Sequence, residues 1–141
     1  MSALPELTAL LEELRSISER ELKAELLIEY SERFVEVPES VACRPFPEAN
    51  RVPACESEAF VFKKDLPDEH INFYFAVESP QGISAMALAA ILTETVSGKS
   101  REAIGTLDDD IVYDIFGRGI SMGKGLGLRS MVQMVRQLAK A

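Results

Sequence analysis

The chain has 141 residues, fitting one domain with a core large enough to fold unaided. Hydrophobic residues make up 47% of it and charged residues 27%, and tryptophan is absent. Acidic residues outnumber basic ones 23 to 15, for a formal net charge of −8, which argues against a general nucleic-acid or anionic-membrane binder and leaves room for a protein partner with a basic docking surface.

Leu4, Leu7, Leu10, Leu11, Leu14 and Ile17 recur at helical spacing, and Pro5 suits a first helical turn. Ser18-Glu19-Arg20-Glu21 has the form of a capping box, announcing a second helix. Its apolar face is Leu22, Leu26, Leu27, Tyr30 and Phe34, with Pro38 just beyond its end. The start Met1-Ser2-Ala3-Leu4-Pro5-Glu6 lacks the basic residues and long apolar run of a secretory signal. The apolar run around Met86 to Leu92 is far too short to span a bilayer. Both observations lead to the expectation of a soluble, cytoplasmic protein, or one of an organelle stroma if the chain is a processed form.

Val35 to Pro53 contains four prolines and little periodicity, so it reads as a long irregular connection. Ser57 to Lys64 reads as a strand with Phe60 and Phe62 on one face, and Leu66-Pro67-Asp68-Glu69 as a turn. His70 to Val77 then alternates, with Ile71, Phe73, Phe75 and Val77 on one side and Asn72, Tyr74 and Ala76 on the other. That is the pattern of an antiparallel hairpin with one buried face. A third strand is expected from the irregular segment before Arg51.

Ser84 to Val96 is apolar and Ala-rich, hence a buried helix stopped by Gly98. Ser100 and Asp108 are candidate caps for two short helices, the second carrying Ile111, Val112, Ile115 and Phe116. Gly117 to Gly127 reads as a flexible lead-in to a closing helix marked by Leu128, Met131, Val132, Val135 and Leu138. Helices, then strands, then helices predict an α+β domain over residues 1–141, in which several helices cover a small antiparallel sheet of about three strands.

Most chemical motifs fail. The glycine-rich stretch is no Walker loop, because Arg118 stands where its first glycine belongs and Gly125 follows Lys124 where Ser or Thr belongs. A dinucleotide loop would need glycine at Met122 or Leu128, after a strand. Two cysteines spaced twelve apart and one histidine give no metal-binding pattern, and no metal or cofactor is expected. His70 opens a strand after an acidic turn and reads as a solvated residue, not as the base of a Cys–His pair. Glu12-Glu13 and Asp108-Asp109-Asp110 read as solvated helix surface and cap.

Cys55 is different. It lies in Asn50-Arg51-Val52-Pro53-Ala54-Cys55-Glu56-Ser57, a polar loop just ahead of a strand. A cysteine so placed is a candidate nucleophile, redox sensor or sulfur carrier, against the plainer reading of a small buried thiol. Arg51 would favour its thiolate, and Glu56 and Glu58 would oppose it. Cys43, within the long connection, reads as an incidental thiol or a resolving partner for Cys55 in a thiol-redox protein.

The same block resembles the core signature of the SufE family, the sulfur acceptors that work with cysteine desulfurases in iron–sulfur cluster assembly. Val96-Ser97-Gly98-Lys99-Ser100 resembles the family's Ser-Gly-Lys-Thr helix end, and Gly127 to Arg136 its final helix. Departures are Ala54 and Glu56 where Gly and Gln are usual, and Ala59 and Phe60 where Val and an aromatic, often Trp, are common. Gly123-Lys124-Gly125-Leu126-Gly127 replaces the usual Ser-Arg-x-Asn-Gly. The resemblance implies the fold of the iron–sulfur scaffold proteins, with the cysteine sheltered on a mobile loop beside the sheet. It also implies that Cys55 accepts persulfide sulfur from a SufS-like desulfurase carrying pyridoxal phosphate, stimulates it, and passes sulfur to an iron–sulfur scaffold. Asn50, Arg51, Val52, Glu56 and Lys124 are the candidate partner contacts.

Overall fold

The computed structural model describes residues 2–141. Helix α1, Pro5–Ser16, begins with proline at its first position, where the missing N–H costs no hydrogen bond. It buries Leu7, Leu10, Leu11 and Leu14, the apolar stripe read from the sequence. Helix α2, Arg20–Glu32, follows after a short turn and lies along the outside of a later helix. The capping box does not form. Glu19, not Ser18, takes the cap position, and no side chain caps the helix. None of its residues is fully buried. Leu26, Leu27 and Tyr30 pack partly on the core, while Leu22 and Ile28 stay exposed.

Strands β1, Ala59–Leu66, and β2, His70–Val77, pair antiparallel from Ala59 opposite Val77 to Leu66 opposite His70. A single turn of 3-10 helix, Pro67–Glu69, joins them, with Asp68 and Glu69 in the left-handed region at φ 60° and 61°. The sheet has two strands, not about three. The irregular connection touches it only at isolated positions, Glu36 beside Phe75 and Arg51 beside Phe60. Prolines at 38, 45, 47 and 53 lack the N–H a ladder needs, so neither contact grows into a strand.

Both faces of the hairpin are buried, where the alternation predicted one. Ala59, Val61, Ile71, Phe73, Phe75 and Val77 face the main core. Phe60, Phe62 and Ala76 face a second, smaller core capped by Val37 and Phe46 from the connection. The Phe46 ring centroid lies 5.1 Å from that of Phe60 and 5.3 Å from that of Phe62, both in the tilted geometry aromatic rings prefer. Arg44 clasps this cover from outside. It pairs with Glu36 and Glu78, and its guanidinium sits 5.0 Å from the Phe46 ring centroid.

Helix α3, Ile83–Thr95, is buried along Ala85, Leu88, Ala89, Ile91 and Leu92. It ends as expected before Gly98, whose φ of 86° lets its N–H reach the carbonyl of Ile71 at 2.7 Å. The Ser100 hydroxyl caps α4, Arg101–Ile104, by accepting from the Ala103 N–H at 3.1 Å. The Asp108 carboxylate accepts from the Asp110 N–H at 2.9 Å and shapes the turn into α5, Ile111–Phe116.

The last helix begins earlier than its apolar residues suggest. Helix α6 spans Met122–Leu138, and the Ser121 hydroxyl caps it by accepting from the Lys124 N–H at 3.2 Å. Gly123, Gly125 and Gly127 therefore belong to the helix rather than to a flexible lead-in.

Phe46 tests whether the connection is held by its own small core. Phe46→Ala is expected to lower unfolding free energy by about 2–4 kcal/mol in urea titrations, as for other buried aromatic truncations. A change near zero would mean that the cover contributes little.

Candidate functional site

The loop bearing Cys55 is pinned at its base. The Asn50 side-chain amide donates to the carbonyl of Val61 at 2.9 Å, and the Val52 N–H to that of Ala59 at 2.8 Å. Val52 itself is 1% exposed, an apolar plug in the main core. On the far side, the N–H groups of Glu78 and Ser79 donate to the carbonyls of Glu58 and Ser57, each at 3.1 Å. Within the loop, the Glu58 N–H closes a turn onto the Cys55 carbonyl at 3.2 Å. Ala54 and Glu58 adopt φ of 59° and 52°, a conformation costing non-glycine residues about 1–2 kcal/mol. The usual family glycine at the position of Ala54 is thus the residue its backbone favours.

Two glycines from other elements hold the loop in place. A Cβ at Gly127 would lie 2.9 Å from the carbonyl oxygen of Ala54 and 3.1 Å from Cα of Cys55. The loop therefore rests directly on the backbone of α6. At Gly82, just before α3, a Cβ would lie 2.8 Å from Cβ of Ser57.

Between these supports lies a cleft of about 80 Å³, lined by Cys55, Glu56, Ser57, Ser84, Lys124 and Leu128 among others. Cys55 is a free thiol, half-buried and packed partly against the main core. Lys124 is the cation lining the cleft and Glu56 the carboxylate. Of the other candidate contacts, Asn50 and Val52 anchor the loop. Arg51 faces elsewhere: it pairs with Glu48 at 3.1 Å, lies 3.9 Å from Glu58, and sits 4.9 Å from the Phe60 ring centroid. The hydrogen bond with Glu48 is the main reason its guanidinium is even harder to deprotonate than usual.

Cys43 is exposed and free, its thiol 3.3 Å from the carbonyl of Glu39. Nothing in this arrangement supports the thiol-redox reading. His70 lies at the opposite end of the hairpin, its Nδ1 2.9 Å from the carbonyl of Asp68, and about 23 Å along β1 from Ala59. Among the described residues no cluster of His, Cys, Asp or Glu has the makings of a metal site, and no helix is long and apolar enough to cross a membrane.

The profile of the SufE domain, described as an Fe-S metabolism associated domain, matches residues 8–139. The chain belongs to the SufE family. Its fold is similar to the solution structure of a hypothetical protein from Thermus thermophilus, at 25% identity and a TM-score of 0.72, over 99% of this chain and 96% of that one. No curated protein sequence matches it. SufE membership assigns the chain to iron–sulfur metabolism and, broadly, to sulfur transfer.

The sequence did not single out Gly82, Ser57, Ser84 or Gly127 as the frame of this SufE site. The close approach at Gly127 is a tertiary fact hidden within a glycine run. Asp109 is not the solvated surface residue its acidic run suggests: its carboxylate accepts from Arg129 Nε at 3.1 Å and Gln133 Nε2 at 2.9 Å, with Arg136 3.6 Å away. Burial pushes the Asp109 carboxyl up, but these donors outweigh it and hold it below the usual carboxylate range. The network ties α6, and with it Gly127 and Lys124, to the start of α5.

Two predictions separate these parts. Gly123 faces open space, so Gly123→Ala is expected to stabilise the protein by about 1 kcal/mol through helix propensity alone. Gly127→Ala is expected to forfeit that gain and to speed alkylation of Cys55 in the folded protein, because the loop must lift. Equal melting shifts and equal thiol reactivity would contradict the close approach. The depressed Asp109 carboxyl adds stability that is complete above about pH 4 and is lost as pH falls through its lower folded value. Asp109→Asn is therefore expected to cost about 1 kcal/mol at neutral pH, and the gap to the parent to close in acid, in melts run from pH 7 to pH 2.

Proposed function

We propose that Cys55 is a sulfur acceptor, taking persulfide sulfur from a cysteine desulfurase and handing it to an iron–sulfur scaffold. The observation that carries this reading is the placement of Cys55: a free thiol on a closed loop, facing a cleft that also holds Lys124. Family membership supplies the class of chemistry.

In this reading, the Cys55 thiolate attacks the outer sulfur of the desulfurase's cysteine persulfide. A new S–S bond forms at Cys55, the old one breaks, and its electron pair stays on the donor cysteine as a thiolate. The chain leaves as a Cys55 persulfide, and no net oxidant or reductant is consumed. The step is a relative of thiol–disulfide exchange, so access and thiolate fraction set its rate. A cleft of about 80 Å³ has room for one additional sulfur beside Cys55. Lys124 and Glu56 line the same cleft, so a cation and a carboxylate would act in opposite senses on a persulfide anion formed there.

The sulfur donor's own pyridoxal phosphate liberates sulfur from cysteine. This chain contributes the acceptor and stimulates the donor by clearing its persulfide, with no turnover of its own. Glu56 and Lys124 meet the partner at the cleft, while Arg51, which faces away from it, meets the partner only outside the cleft. Asn50 and Val52 reach the partner only when the loop swings out, which the hydrogen bonds at its base oppose. The chain works as a single SufE-like domain in the cytoplasm, or in an organelle stroma if it is a processed form.

Incubation with a cysteine desulfurase and sulfur-labelled cysteine tests this directly. The parent and Cys43→Ala are expected to become labelled, and Cys55→Ser to stay unlabelled while its melting curve remains close to the parent's. Label on Cys55→Ser would overturn the assignment of Cys55.

A further inference from the structure

A second surface lies where the turn between α1 and α2 faces the connection between α5 and α6. It is an open groove of about 540 Å³ with Ile17, Phe116 and Ile120 along it and Arg20, Lys23 and Arg118 around it. Glu19 is the one carboxylate that lines it. Among the described residues, none of these three cations has a carboxylate within 4.0 Å, whereas every arginine other than Arg15, Arg20 and Arg118 is paired. Lys23 donates to the backbone carbonyl of Asp114 at 3.1 Å, and Arg118 lies 5.1 Å from the Tyr113 ring centroid. Both are thereby held in place with their charge uncancelled.

The groove reaches the first turn of α6, whose opposite side faces the Cys55 cleft. Arg118 and Ile120 also line an adjoining hollow with Met122 and Leu126, and the same turn of α6 gives Gly123 and Lys124 to the cleft. Met122 is 92% exposed and Leu126 50% exposed. Arg20, Lys23 and Arg118 bring three unpaired cations to one groove against the single carboxylate of Glu19, a local surplus that suits an anionic counterpart. The apolar residues among them suit a peptide segment better than a free inorganic anion.

We propose that this groove docks an acidic segment of the sulfur donor, with apolar side chains on Ile17, Phe116 and Ile120. The proposal rests on the sulfur-acceptor reading, because a donor seated over Cys55 meets this groove around the first turn of α6. Complementary charge of this kind sets orientation and encounter rate.

The test compares the parent with Arg20→Glu/Arg118→Glu, and with Arg15→Glu/Lys140→Glu as a control of equal charge change outside the groove. The cysteine desulfurase of the same organism is titrated with each at low and high salt. The groove variant is expected to need about tenfold more protein for half-maximal stimulation at low salt, with a flatter salt dependence. Its sulfur loading at saturation should match the parent's, and the control should stay near the parent throughout. A groove variant indistinguishable from the parent or the control, while the parent loads sulfur normally, would overturn the groove alone. A parent that takes up no sulfur would overturn the acceptor reading, and this proposal with it. Impaired delivery to a scaffold with normal loading would overturn the assignment to the donor.

Discussion

The contact between the Cys55 loop and the backbone of α6 at Gly127 is the constraint on which the site depends. With a Cβ at Gly127 only 2.9 Å from the Ala54 carbonyl, no larger residue fits without moving the loop. Glycine inside a helix costs about 1 kcal/mol relative to alanine, and α6 carries three in its first two turns. Compensation comes from the Ser121 cap and from the Asp109 network, which fasten the helix by contacts outside its own propensity. A helix weak in propensity but well anchored can bring its backbone up against a loop and still leave room for a cleft.

The loop itself balances restraint against strain. Hydrogen bonds at both ends fix where it leaves and rejoins the sheet, while Ala54 and Glu58 hold unfavourable backbone angles between those anchors. Strain confined to the segment that carries the thiol lowers the cost of lifting it. Such a loop keeps Cys55 half-buried at rest, and in the proposed reading it yields where the sulfur donor reaches it. The second core under Phe46 serves the same end from the other side, since it steadies the connection leading into the loop.

How much of this was legible in the sequence follows the range of the interactions. The hairpin was readable because Ile71, Phe73, Phe75 and Val77 alternate, and α1 and α3 because their apolar residues recur or crowd. Helix α2 was readable in place but not in detail, since Ser18-Glu21 carries the capping pattern and the chain enters the helix one residue later. The third strand failed on the prolines that flank Glu36 and Arg51. Phe46 as the lid of a second core could not be seen, because an isolated aromatic in an irregular segment has no period. Gly127 was hidden for the opposite reason: it sits among many glycines, and only the approach of Ala54 and Cys55 gives it meaning. Cys55 stood out through its setting on a loop ahead of a strand, while Lys124 gained its place beside Cys55 only when α6 was seen to start at Met122.

The central claim is that Cys55 carries sulfur, and the mass of its peptide after reaction decides it. The protein would be mixed with an active cysteine desulfurase and L-cysteine, then digested and weighed without reductant. The account predicts one added sulfur on the peptide containing Cys55, removed by dithiothreitol. An unmodified Cys55 peptide beside a working desulfurase from the same organism, or sulfur found on the Cys43 peptide instead, would contradict it.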